Sequence, residues 1–367
     1  MQVNFIIFNM KRNNIIIIIT IILTIFGNIM VYSASNVLAL NKYNNSYKFL
    51  INQLIFSIIG FTLLFIIKKI NYKLLYKYNN IIFFIIFLLL ILVLIPGIGS
   101  VRNGSRSWFS IGSFGIQPSE FMKISSLIFV SKYLSKYNNK MDNTKKYLLP
   151  ILLLIISIFL IILLEPDFGT ASIIVGSCVL LIFTSNIKLS FIFKLFFIAL
   201  IGVSILILFK PYRMARILSF LNPWSDPLGS GFQIIQSMYA IGPNGMFGAG
   251  FNNSIQKHFY LPEPQTDFIF AIISEELGII GIFILFTCYL ILLISTIKIS
   301  LNTKDLFGKY LSFGIISQIT LQTLLNLLVV VGLIPVTGVT LPFISYGGSS
   351  LLISFISIGI ILSINNN

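Results

Sequence analysis

The sequence predicts an all-α polytopic membrane protein: about ten spanning helices, both termini in the cytoplasm, and one long outer loop between spans seven and eight. Three observations carry this. Of 367 residues, 57% are hydrophobic and 10% charged, and mean hydropathy is +0.98. A soluble domain carries about 25% charged residues, so a water-soluble enzyme, a secreted disulfide scaffold and a disordered chain are excluded. Ten apolar segments approach the ~20 residues that cross a bilayer. Basic residues, finally, are shared unequally between alternate connections.

The first segment, 15–34, follows Lys11 and Arg12. Its apolar run from Ile15 to Tyr32 exceeds the roughly 7–15 residues of a signal-peptide core, so it reads as an uncleaved span. Segments 49–67, 81–98 and 117–135 come next. The fifth and sixth, 148–164 and 168–185, are parted only by Glu165-Pro166-Asp167, a tight hairpin. The seventh is 189–209. The eighth, 268–297, is long enough to tilt or to run past the membrane surface. The last two are 310–332 and 341–363. No 20–50-residue repeat is visible, so residues 1–367 read as a single membrane domain rather than a solenoid.

With the N-terminus inside, sixteen Lys and Arg fall on inner segments and eight on outer ones. This bias sets the orientation. The formal net charge of +15 is thus mostly an orientation signal beside an anionic inner leaflet, and nucleic acid is not an expected partner. Cys178 and Cys288 stand in apolar runs without CxxC spacing, and His258 is the one histidine. No metal site, disulfide framework or HExxH chemistry is expected. No P-loop motif is present, which removes an ATP-driven pump.

Two outer loops break the apolar pattern, 99–116 and the much longer 210–266. Loops of the second length are uncommon without a role. The glycines from Gly242 to Gly250 lack the strand–helix context of a dinucleotide fingerprint and read as tight turns and close backbone approach. Asp142 and Asp305 fall on cytoplasmic loops; the other eight of the ten acids fall on the outer side.

Glu120 and Lys123, spaced i, i+3 after a helix start at Pro118, share a helix face. A structural ion pair is the favoured reading and a proton relay the alternative. In Leu261-Pro262-Glu263-Pro264-Gln265-Thr266-Asp267, Thr266 is expected to cap the eighth span and Asp267 to fall in its first turn. Asp267 is then either a simple acidic first turn or a general base at the membrane boundary. Glu275 and Glu276 follow two turns deeper, and at least one must face the protein interior. Around them stand Arg102, Arg106, Lys210, Arg213, Arg216, Lys257 and His258, with Trp108 and Trp224. Such cations suit phosphate or pyrophosphate, and such tryptophans can equally anchor the interface.

These residues resemble a family. The runs RNGSRSWFSIGSFGIQPSEFMK (102–123), EPDFGTA (165–171), 215–278 with its NNSIQKHFYLPEPQTDF core, and GLIPVTGVTLPFISYGGSSLL (332–352) resemble the SEDS proteins. This is the RodA, FtsW and SpoVE group of bacterial cell-wall polymerases. Gly338-Val339-Thr340-Leu341-Pro342 is similar to the FtsW/SpoVE branch, since elongation-type relatives carry a Pro before the Leu. The resemblance implies a ten-span enzyme of the cytoplasmic membrane that polymerises lipid II into glycan strands on the outer face. It serves cell division at the septum if FtsW-like, the spore if SpoVE-like and the side wall if RodA-like.

The resemblance makes Asp267 the catalytic residue; the residues themselves suggest Arg106, Arg213, Arg216 and Lys257 toward the pyrophosphate. Glu165 and Glu276 are further candidates. It also implies a class B penicillin-binding protein transpeptidase as partner, with other divisome proteins. A divalent cation such as Mg2+ is compatible with the pyrophosphate, and no ligand set demands one. Glu165 departs from the family, standing where Gln is common, and adds a charge to that hairpin. Two competing classes stay open: a lipid II flippase, motivated by Glu120 and Lys123, and a non-catalytic scaffold that recruits the transpeptidase.

Overall fold

The computed structural model describes residues 2–366 except 103, 112–113, 142, 186, 188–196, 198–201 and 203–210. The described residues form a helical bundle with a small sheet at one end. The helices are α1 (Gln2–Tyr43), α2 (Lys48–Lys69), α3 (Lys73–Leu92), α4 (Pro118–Tyr137), α5 (Leu149–Leu164), α6 (Phe168–Phe183), α7 (Pro211–Leu221), α8 (Phe232–Ile241), α9 (Ile269–Asn302), α10 (Leu306–Val330) and α11 (Gly348–Asn366). The strands are β1 (Ser100–Arg102), β2 (Ser105–Ile111) and β3 (Phe114–Ile116), antiparallel in the order β1-β2-β3.

Seven of these helices are long and apolar enough to cross a bilayer: α1 from Arg12, α2, α3, α5 with the turn from Lys146, α9, α10 and α11. The polypeptide is thus a multi-pass membrane protein. α6 is apolar but only 16 residues long. α4 has the length and not the composition, for it carries Glu120, Lys123, Lys132 and Lys136. It is packed between α3, α6 and α10, and its buried charges find partners inside the protein rather than facing lipid. Nine of the ten expected spans coincide with helices, and the expected seventh lies almost wholly outside the described residues.

The centre of the bundle is α10, which touches α4, α6, α9 and α11, while α2 lies along α11. Gly60 permits that last approach. A Cβ there would stand 2.0 Å from Phe355 Cδ2, and small residues are what allow close helix contact where no hydrophobic force drives it. At the end of the bundle away from the sheet, Arg12 Nη1 donates to Lys298 O (3.3 Å) and Asn13 Nδ2 to Asn366 Oδ1 (2.6 Å). These bonds hold α1, α9 and α11 together on that side.

Four expectations are corrected. The 99–116 segment is not a plain loop but the three-stranded sheet, with Gly104 at φ 79° in the β1–β2 turn. The third helix runs 73–92 rather than 81–98, because Pro96 and Gly97 belong to the turn entering the sheet. The last helix starts at Gly348, not 341. Its expected first turn is occupied elsewhere: Leu341 N donates to Ser345 Oγ (2.8 Å) and Tyr346 N to Gln265 O (2.8 Å). Helix α9 begins at Ile269 with no side-chain cap, so Thr266 does not cap it and Asp267 precedes it. The carbonyl that would start the helix at Asp267 accepts instead from Asn326 Nδ2 at 2.7 Å.

Candidate functional site

The sheet and the helix ends on its side of the bundle enclose a cleft of about 1470 Å³. Asp267 lines it, with Arg216 from α7, Arg102 and Trp108 from the sheet, and Glu120 and Lys123 from α4. Its lining mixes apolar side chains with a few converging charged and polar ones, as ligand clefts do.

Asp267 is half-buried. Burial pushes its carboxyl up to about 6, against the pull of the Thr266 hydroxyl and of Arg216. Thr266 Oγ1 lies 2.9 Å from Asp267 Oδ1 and 2.8 Å from Glu263 O, so one hydroxyl proton serves either acceptor. A carboxyl titrating near 6 is an anion at neutral pH with more basicity than an ordinary aspartate. Its backbone is held from behind: Asn326 Nδ2 donates both to Asp267 O and to Val339 O, each at 2.7 Å.

One turn before Asn326 on α10 stands Gln322, which faces the other wall. Lys123 Nζ donates to Gln322 Oε1 (2.9 Å), and Gln322 Nε2 donates to Thr340 O (2.9 Å). The i, i+4 pair Gln322 and Asn326 thus brackets the Val339-Thr340 segment and fixes both walls to one helix. Sequence reasoning missed both residues; their signal was two amides at helical spacing in an apolar span. Glu120 and Lys123 form the expected pair, 2.7 Å apart and buried.

Asp167 caps α6 through Thr170 N (3.0 Å) and accepts from Gln117 Nε2 (2.9 Å). Burial raises its carboxyl above the usual range. Glu165 is fully buried, with no hydrogen-bond partner on either carboxylate oxygen, and burial followed by Asp167 pushes it up to about 9. It is therefore neutral at pH 7 and adds no charge to the hairpin, and it does not line the cleft.

The expected cations divide. Arg216 lines the cleft and donates through Nη1 to Val336 O at 2.7 Å. Arg106 is not among the lining residues; Arg102 is, lying 5.1 Å from the Trp108 ring centroid. Ser105 and Ser107, which flank Arg106 on β2, line the cleft, as does Trp108. Arg213 is on the first turn of α7, and its side chain lies outside the described residues.

Lys257 is 3% exposed and away from the cleft. Its Nζ bonds Asn252 O and Oδ1 (both 2.6 Å) and pairs with Glu276 at 3.4 Å. Glu276 also accepts from Ser33 Oγ (2.6 Å) and Ser254 N (3.2 Å). Glu275 and Glu276 both face inward, and this cluster braces the loop rather than forming the cavity wall. Among the described residues, no three acidic, His or Cys side chains converge as a metal shell.

A bundle of apolar spans with a charged cleft gathered at one face defines an integral membrane protein built to act on something at the bilayer surface. The chain belongs to the FtsW/RodA/SpoVE family of cell cycle proteins, whose profile matches residues 13–367. It is 49% identical over 96% of both chains to stage V sporulation protein E of Bacillus subtilis (strain 168). It is 40% identical over 95% of both to the probable peptidoglycan glycosyltransferase FtsW of Coxiella burnetii (strain RSA 493 / Nine Mile phase I). In three dimensions it is similar to a chain from a structure titled as structural coordination of polymerization and crosslinking by a peptidoglycan synthase complex. The TM-score is 0.78, at 28% identity over 96% of each chain.

Proposed function

We propose that this chain is a peptidoglycan glycosyltransferase that polymerises lipid II at the outer face of the cytoplasmic membrane, with Asp267 as general base. The observation that carries it is the Asp267 carboxylate, basic for an aspartate, opening on a cleft that also holds Arg102 and Arg216. The acceptor's sugar 4-hydroxyl gives its proton to Asp267 as its oxygen bonds the donor's anomeric carbon. The bond from that carbon to the pyrophosphate breaks, and undecaprenyl pyrophosphate leaves with the electron pair. Arginines within reach stabilise the departing charge. Mg2+ carried on the pyrophosphate would need no dedicated protein cage, because Mg2+ takes few protein ligands and the phosphates supply others.

The lining residues lie at the outer ends of the helices, and the bonds at Arg12 and Asn13 hold the cytoplasmic ends together. This favours transfer on one face over a flippase path. A class B penicillin-binding transpeptidase is the fitting partner, since a structural relative acts in a complex that joins polymerisation to crosslinking. Septal division and spore formation are the two uses open to this branch, and imaging a tagged copy distinguishes them.

The test is the purified chain in lipid with labelled lipid II. Glycan polymer is expected; transbilayer movement without polymer would establish the flippase instead. Arg102→Ala is expected to lower kcat/KM about tenfold or more, the worth of one hydrogen bond to a charged group. Arg106→Ala is expected to change it less than about threefold on the same scale. Equal losses would return the role to Arg106.

A further inference from the structure

The glycine-rich segment after α8 belongs to the outer loop by sequence, yet two independent contacts set its height within the membrane. The first is to α9, whose helical path breaks at Gly278 (φ 60°, ψ −152°). Across that break, Ile279 N and Ile280 N donate to Gly245 O and Met246 O, each at 3.2 Å. Ala249 N and Gly250 N donate to Glu275 O (2.8 Å) and Glu276 O (3.0 Å). The segment's backbone thus satisfies the carbonyls and amides that the broken helix leaves open, as irregular backbone at membrane depth requires.

Two glycines make the approach possible. A Cβ on Gly248 would stand 2.4 Å from Glu276 O, and one on Gly278 2.5 Å from Gly248 N; both residues have positive φ. Below the break, Ile279 to Lys298 is one continuous helix of about 30 Å, the thickness of a hydrocarbon core. Gly278 therefore sits at its outer boundary.

The second contact is to α1, where Asn36 Nδ2 donates to Asn252 Oδ1 (2.6 Å). Phe251 lines a groove with Ile25, Ile29 and Tyr32 of α1 and Leu50 and Leu54 of α2. Counting up α1 from Arg12, the groove's residues Ile25 to Tyr32 stand about 20–30 Å above the cytoplasmic end, reaching the same boundary. Between Gly242 and Phe251 there is no charged residue, and Asn244 spends its amide on Ala240 O (2.8 Å). Met246 is 62% exposed and Phe247 76%, beside the exposed Ile279 and Phe283 of α9.

We propose that residues 245–251 form a membrane-seated loop, with Met246 and Phe247 inserted between the outer-leaflet acyl chains. The ligand is hydrocarbon rather than headgroup phosphate, because the segment offers apolar side chains, no cation, and continuity with the lipid-facing side of α9. Seated there, the loop ties the chain that leads to Asp267 to a fixed height above the bilayer. The placement stands whether or not Asp267 is the base.

Trp108 and Trp224 are the two tryptophans, so replacing both with Phe leaves a dark background. In it, Phe247→Trp and Met246→Trp each supply one fluorophore, the second serving if the first does not fold. In the full chain alone, in nanodiscs of phosphatidylcholine brominated near the glycerol end of the acyl chains, emission is expected to fall at least about twofold relative to unbrominated lipid. Acrylamide is expected to quench it less than it quenches Leu228→Trp, on the outer loop. Emission blind to bromine and as open to acrylamide as at 228 overturns the proposal by placing the loop in water. Emission blind to both quenchers overturns it too, by showing the loop covered by protein.

Discussion

Replacing Asp267 with Asn is expected to lower glycan polymerisation by about 10²–10⁴-fold, the usual worth of a positioned general base, while leaving the chain at least as stable. The substitution keeps the shape and removes the proton acceptor. Wild-type kcat/KM is expected to rise with pH through about 6, where the carboxyl loses its proton, and to level above it. The stability effect has the opposite sign to the usual aspartate. The folded pKa lies above the unfolded value, so the protonated form is favoured by folding. The cost of ionisation is absent below about pH 3.8, grows as pH rises, and is complete above about 6. The Asp267→Asn chain escapes that cost, a gain on the order of 1–3 kcal/mol at neutral pH. A pH-independent polymerase, or a folded Asp267→Asn protein that polymerises normally, would remove Asp267 from the chemistry and favour the scaffold reading.

The helices were legible because lipid imposes a single length rule, and most segments that met it are helices here. The errors fell where backbone bonds go to tertiary partners. Leu341, Phe343 and Ile344 look like the start of a span, yet their turn is held by Ser345 and Gln265. Asn103-Gly104 between short alternating runs was a hairpin signal, overshadowed by its setting between two spans.

Within the site, Asp267, Arg216 and the Glu120–Lys123 pair were readable as charges that an apolar chain does not carry idly. Arg102 was passed over for Arg106 because the packing of the sheet against the helices decides which of the two reaches the cleft, and the segment read as a loop. Gln322 and Asn326 carry no charge, and only packing reveals that one helix face holds both walls of the cleft.

Lys257 separates the two kinds of charge most sharply. By sequence it stands ten residues before Asp267 among outer cations; in the fold it is buried against Glu276. Removing one member of a buried pair leaves the other charge uncompensated, at about 3–5 kcal/mol. Lys257→Met is therefore expected to lower the apparent Tm of the detergent-solubilised chain by on the order of 10 °C. Glu276→Gln combined with it is expected to recover most of that loss, because the stranded carboxylate is gone and its amide replacement can still accept from Ser33 and Ser254. The coupling between the two substitutions, read from the double-mutant cycle, is the quantity to measure. A lysine that held pyrophosphate would give the reverse pattern: an unchanged Tm, a raised KM, and no rescue by Glu276→Gln. The loop that Lys257 braces carries both the membrane-seated segment and the approach to Asp267. The same substitution is thus expected to lower kcat in whatever fraction remains folded, through lost positioning rather than lost contact with substrate.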